Sequence, residues 1–169
     1  MLMNSLKLRY EVLAAGLLGC LACNNAAHAH ETQLNHAAQF CNKSGGSGTL
    51  VRTYQGTIAN NSYSQDLRVL CPLVRVAGKG TTGVVNVHVV DRNAGSVRCS
   101  FYNQRAYGHT WSWSGWKNTV GSGPNNYRTF SFGPFASQDS WDGFHQIHCL
   151  LPPRNSSYRT ELGSYSSGD

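Results

Sequence analysis

The chain is short of carboxylates. Its 169 residues include 8 Asp and Glu against 14 Lys and Arg, for a net charge of +6. Beyond residue 29 the acidic side chains are Glu31, Asp66, Asp91, Asp139, Asp142, Glu161 and Asp169, several of them in expected loops or tails. Scattered this thinly, they give little material for the paired carboxylates of a glycosidase. A Gly-x-Ser-x-Gly elbow is missing, and Gly78-Lys79-Gly80 lacks the upstream glycine of a phosphate-binding loop. No apolar run approaches the ~20 residues that a bilayer-spanning helix needs, so no transmembrane segment is expected. The arginines stand singly without a basic run, and no nucleic-acid-binding motif accompanies them, which discounts nucleic acid as a partner. Helical periodicity is absent as well, and no helix is expected.

What is present begins at the N-terminus. Lys7 and Arg9 precede an apolar run from Val12 to Ala22, and Ala27-His28-Ala29 follows, which reads as a cleavable export signal over residues 1–29. Cleavage after Ala29 makes His30 the first mature residue. The alternative is Leu17-Leu18-Gly19-Cys20, which resembles a bacterial lipobox and would leave a lipoprotein anchored at Cys20. Cysteine arithmetic favours the first. Cutting after Ala29 discards Cys20 and Cys23 and leaves an even set of four, whereas cutting before Cys20 leaves Cys23 as a stray thiol. A secreted or periplasmic location follows, and an oxidising compartment in which cysteines pair.

The remainder is long enough for one domain. Residues 30–48, ending in Ser44-Gly45-Gly46-Ser47-Gly48, read as a flexible segment by composition. Residues 49–162 read as a domain of short strands separated by turn signals, an all-β, two-sheet antiparallel sandwich of jelly-roll or immunoglobulin-like kind. Residues 163–169 read as a frayed polar tail. The expected strands are Leu50 to Ile58, broken by Gly56, then Leu67 to Val76, Val84 to Val90, Val97 to Tyr102, Thr110 to Trp116, Tyr127 to Phe132 and Phe144 to Leu151, with an edge strand from Tyr158 to Leu162. Val84 to Val90 is the clearest central strand, and Asp91 to Ser96 reads as a hairpin connection to the next. Alternation turns Cys71, Cys99 and Cys149 toward the core. Four cysteines allow three pairings. Cys41 with Cys71 and Cys99 with Cys149 is the favoured one, because the first clamps the N-terminal segment and the second joins two core strands.

Val69-Leu70-Cys71-Pro72-Leu73, Val97-Arg98-Cys99 and His148-Cys149-Leu150-Leu151-Pro152-Pro153, followed by a short strand ending near Glu161, resemble a group of secreted bacterial proteins over roughly residues 41 to 161. That resemblance implies an exported, disulfide-bonded β-domain and brings no activity or site residue with it.

Candidate chemistry is sparse. His145 and His148 lie three apart on a strand and face opposite sides, so they do not form a metal pair. Asp91-Arg92-Asn93-Ala94-Gly95 is half a calcium loop without its later glutamate. A free amine on His30 together with a second histidine, His36, His88 or His109, is the donor set of a copper site and of a copper oxygenase, although the glycine-rich stretch would leave His30 on a mobile arm. No metal or cofactor is otherwise expected. The best lead is aromatic. Tyr107, Trp111, Trp113 and Trp116 fall within ten positions, and Trp111 and Trp113 share a strand face about 7 Å apart. Exposed, they make a flat strip on which sugar rings stack. Thr110, Ser112 and Ser114 occupy the other face, and ordinary alternation would instead bury the two tryptophans. The expectation is a non-catalytic ligand-binding module, with a glycan or an anionic envelope surface as partner. A structural or interaction protein of the bacterial cell envelope is the alternative.

Overall fold

A computed structural model describes residues 34–73, 81–82, 84–92, 95–104, 110–121, 123, 126–133, 135–136 and 144–167. The export signal and its cleavage site lie outside these residues. Strands in chain order are β1 (Leu34–Ala37), β2 (Asn42–Gly45), β3 (Leu50–Arg52), β4 (Ile58–Asn60), β5 (Leu67–Leu73), β6 (Thr81–Thr82) and β7 (Val85–Val90). They continue as β8 (Arg98–Gln104), β9 (Thr110–Trp113), β10 (Lys117–Asn118), β11 (Tyr127–Phe132), β12 (Phe135–Ala136), β13 (Phe144–Leu151) and β14 (Glu161–Ser167). A single 3-10 turn, Ala38–Phe40, follows β1, and there is no α-helix among the described residues.

Two antiparallel six-stranded sheets make the sandwich. Sheet I runs β11-β7-β14-β4-β3, with β1 also on β14, and sheet II runs β10-β8-β13-β5-β2, with β9 also on β8. Alternation decides what each buries. Sheet I contributes Ile58, Val85, Val87, Val89, Phe130, Phe132, Leu162 and Tyr165 to the core, and sheet II contributes Leu67, Val69, Phe101, Ile147 and Leu151. The Tyr165 hydroxyl crosses between the sheets and donates to the Pro72 carbonyl at 2.9 Å. Pro72 is tolerated inside β5 because β2 pairs only as far as Leu70, leaving this stretch on an open edge among the described residues. Both disulfides line the inner face of sheet II: Cys41 is joined to Cys71, and Cys99 to its cross-strand neighbour Cys149.

Several expectations are corrected. The segment read as flexible holds β1 and β2, and its glycines serve close approach. A Cβ on Gly46, whose φ is +72°, would stand 2.5 Å from the Asp66 carbonyl oxygen, and one on Gly48 would stand 2.8 Å from it. The Gly48 amide donates to that same carbonyl at 2.9 Å. The segment read as a polar tail is β14, which lies between β7 and β4, with Tyr165, Ser166 and Ser167 buried. Its alternation was hidden by a bulge between Leu162 and Ser164, which shifts the phase so that both Leu162 and Tyr165 point inward. The break expected at Gly56 is present, and it folds Leu50 to Ile58 back into two paired strands, with φ +79° at Gly56. Asp91 to Ser96 joins no hairpin, since β7 and β8 belong to different sheets. At that crossing the buried Asp91 carboxylate accepts from the Thr119 and Thr160 hydroxyls, so it is a structural acceptor within the corner.

Candidate functional site

The outer face of sheet II is built by the same alternation that fills the core. Along β8, Cys99 and Phe101 face inward, which turns Arg98, Ser100 and Tyr102 outward. On β13 the outward positions are Gln146, His148 and Leu150, and on β5 they are Arg68, Leu70 and Pro72. Strand register lines these up in rows: Arg98–Leu150–Arg68, Ser100–His148–Leu70 and Tyr102–Gln146–Pro72.

The edge of this face depends on one inserted residue. Trp113 on β9 pairs with Tyr102, and Lys117 on β10 pairs with Cys99, so four steps on this side oppose three on β8. That is a bulge. Gly115 absorbs it at φ +73°. Ser114 anchors it, its amide donating to the Phe101 carbonyl at 3.0 Å and its hydroxyl accepting the Phe101 amide at 2.9 Å. On a regular strand Trp113 and Trp116, three apart, would face opposite sides. The extra residue places both on the outer face and turns Lys117 inward, where its ammonium sits 5.2 Å from the Phe132 ring centroid in sheet I.

Burial of the tryptophans, which simple alternation suggested, is therefore overturned where the structure describes them. Trp113 is 52% exposed and Trp116 is 43% exposed. Trp113 stacks on Tyr102 with centroids 6.1 Å apart and planes 26° apart, and Tyr102 meets His148 at 4.4 Å. Three rings thus run across β9, β8 and β13. At the other end of the face the Arg98 guanidinium lies 5.9 Å from the Trp116 ring centroid. Tyr107 and the Trp111 side chain lie outside the described residues. Tyr102, His148, Arg98 and Arg68 were missed as site members, although the inward phase of Cys99 and Phe101 already implied an outward Tyr102.

Beneath the rings, His148 Nε2 and Ser100 Oγ are buried with no hydrogen-bond partner among the described residues. Burial pushes the His148 pKa below its ordinary 6.5, which keeps the imidazole neutral at neutral pH. His145 occupies the other face of β13, edge-on to Phe101 at 5.4 Å, so the two histidines are separated as expected. Of the copper candidates, His30 and His109 lie outside the described residues. His36 stacks on Tyr165 at 5.1 Å, and His88 pairs with the Thr129 hydroxyl at 3.0 Å. Among the described residues no group of three or more His, Cys, Asp or Glu side chains is placed to hold a metal.

No protein-family model matches the chain, and neither does any curated protein. Solved structures do. The chain is similar to the CBM36-1 domain of a multidomain xylanase from the hindgut metagenome of Trinervitermes trinervoides, with 13% identity, a TM-score of 0.50, and coverage of 82% of this chain and 98% of that one. It is also similar to the xylan-binding module CBM86 from Roseburia intestinalis, at 11% identity and TM-score 0.48 over 80% of this chain and 94% of that one. A family 35 carbohydrate-binding module from Clostridium thermocellum matches at 12% identity and TM-score 0.45 over 82% and 98% of the two chains. At such identities the likeness, carried by the first of these, is one of fold: a β-sandwich of the kind found in carbohydrate-binding modules.

Proposed function

We propose that this protein is a non-catalytic glycan-binding module whose binding surface is the outer face of sheet II. The observation that carries the reading is the exposure of Trp113 and Trp116 on one face, with Tyr102 and His148 extending the first into a row of rings. Sugar rings present an apolar face to such a strip, and rigid aromatic side chains supply contact area at small entropic cost. The fold shared with the CBM36-1 domain supports the same reading at the level of architecture. Export through the leader at residues 1–29, with His30 as the mature N-terminus, fits a domain stapled by two disulfides. The lipoprotein route through Cys20 is distinguished from it by N-terminal sequencing.

Affinity electrophoresis of the purified protein through gels containing a panel of polysaccharides, xylan included, tests the function. The expected result is retardation by at least one polymer, lost in Trp113→Ala and Trp116→Ala. Free migration in every gel, or retardation unchanged in both variants, overturns it and leaves an envelope structural protein as the better account.

A further inference from the structure

Beside the aromatic strip, on the same outer face, lies a groove of 510 Å³ that the strip does not use. Its floor is Leu150, only 7% exposed, and Arg68 and Arg98 flank that floor from the neighbouring strands. Two strand spacings separate the arginine backbones by about 10 Å, a gap that two guanidinium stems span from either side. The third wall is the segment Ser64–Asp66, and Gly46 and Ser47 close the end.

This wall is fixed before any ligand arrives. The buried Asn60 amide donates to the Gln65 carbonyl at 2.6 Å and the Leu151 carbonyl at 3.1 Å. Its Oδ1 accepts the Ser62 amide at 3.0 Å and the Thr49 amide at 3.2 Å. Gly46 and Gly48 then let the neighbouring chain press against Asp66 at distances that no side chain would permit. The arginines are held differently. Among the described residues the ion pair is Arg92 with Glu161, at 3.3 Å, and neither Arg68 nor Arg98 has a carboxylate within 4.0 Å. Two guanidiniums with no carboxylate partner among the described residues, over an apolar floor and with one carboxylate and a carboxamide on the wall, leave a net positive groove that also accepts hydroxyl donors.

We infer that this groove binds the carboxylate of a uronate unit in an acidic polysaccharide, which extends the glycan-binding reading of this face and rests on it. A planar carboxylate matches the guanidinium fork, to which it accepts two hydrogen bonds at once. Leu150 meets the apolar face of the sugar ring, and Asp66 and Gln65 accept its hydroxyls. A phosphate monoester is less suited, because Asp66 opposes its higher charge. Trp116, packed against Arg98, puts the adjoining unit of the chain on the aromatic strip, so strip and groove read successive residues of one polymer. The volume lies within the ~300–1,000 Å³ typical of small-ligand sites.

The test compares polygalacturonate with its fully methyl-esterified form, using affinity electrophoresis and calorimetry on the wild-type protein. The expected result is binding about tenfold or more tighter to the free acid, the equivalent of one charge-assisted contact. Arg68→Gln combined with Arg98→Gln abolishes that preference, and each single substitution weakens it, while Arg128→Gln on sheet I, which removes the same charge as either single substitution, retains it. Equal affinity for acid and ester, a preference that survives the double substitution, or an equal loss in Arg128→Gln each overturns the inference. Failure of the broader reading looks different. Binding of acid, ester and xylan alike through Trp113 defeats only the uronate inference, whereas absence of binding to any polymer defeats both. Thermal unfolding of each variant, expected within a few degrees of wild type, separates lost contacts from lost fold.

Discussion

The two sheets of this sandwich bury similar faces and expose dissimilar ones. Outside sheet I Tyr127 stands exposed at the start of β11, and the exposed positions beyond it pair as polar groups: the Ser131 hydroxyl donates to Asn86 Oδ1 at 2.7 Å, and His88 bonds Thr129. Outside sheet II the corresponding positions carry Trp113, Tyr102, His148, Trp116 and two arginines. A soluble sheet needs only the first kind of surface, because polar side chains there keep their hydration and satisfy one another locally. The second kind leaves large apolar area in water and two cations unpaired among the described residues, which folding alone does not call for. Sheet II is also the sheet with both disulfides on its inner face, so the proposed binding surface sits on the more heavily braced half.

Reduction should expose that bracing with the largest effect. Each disulfide closes a loop, of 30 and 50 residues in sequence separation, for which the chain-entropy model gives about 3.5 to 4 kcal/mol. Losing both is of the order of a small domain's entire stability. Hydrogen exchange on partly reduced protein should show β5, β8 and β13 opening before β7 and β14; simultaneous loss of protection in both sheets would contradict the asymmetry. Next in size is Gly46→Ala, which forces a side chain into a left-handed conformation and against the Asp66 carbonyl. Urea denaturation should register a loss of about 2 to 4 kcal/mol, and an unchanged midpoint would mean the close approach is not required.

Smaller in stability but decisive for the comparison is a matched pair of substitutions. Trp113→Ala should weaken polysaccharide binding about tenfold or more while altering stability by less than about 1 kcal/mol. His88→Ala, its counterpart on sheet I, should leave binding unchanged; a comparable loss in both would erase the distinction between the faces. The smallest effect is a pH dependence. Burial holds His148 below its ordinary 6.5, so in the window below 6.5 the unfolded chain binds a proton that the folded chain refuses. Stability from the neutral imidazole is therefore complete above 6.5 and declines as pH falls through the lowered value. His36, also lowered by burial, adds in the same direction. His148→Gln should flatten the acid side of a stability-versus-pH curve in part, and an unaltered slope would show that this ring is not the group responsible.

How much of this was legible in the sequence depended on whether parity was preserved along each strand. Tyr127 to Phe132 and Phe144 to Leu151 alternate without interruption, and the structure forms β11 and β13 over the same residues. The inward phase of Cys71, Cys99 and Cys149 was readable for the same reason. Where a bulge adds a residue, parity reverses, and composition gives no warning. Gly163 lies within the shift that hides β14 inside an apparent tail, and the shift around Gly115 brings Trp113 and Trp116 to one face instead of two. Gly46 and Gly48 misled in another way. Glycine marks both flexible linkers and tight backbone contacts, and only the position of Asp66 tells them apart. The arginine groove was illegible because Arg68 and Arg98 are 30 positions apart in sequence and meet only through their shared neighbour Leu150 on β13.

The central claim is that one outer face binds glycan and the other does not. Hydroxyl-radical footprinting with and without a retained polysaccharide reads both faces in one experiment, since Tyr127, 67% exposed on sheet I, serves as the internal reference for Trp113 and Trp116. The account predicts that bound polymer protects Trp113 and Trp116 from oxidation and leaves Tyr127 as reactive as before. Protection of Tyr127 with both tryptophans unchanged would contradict it.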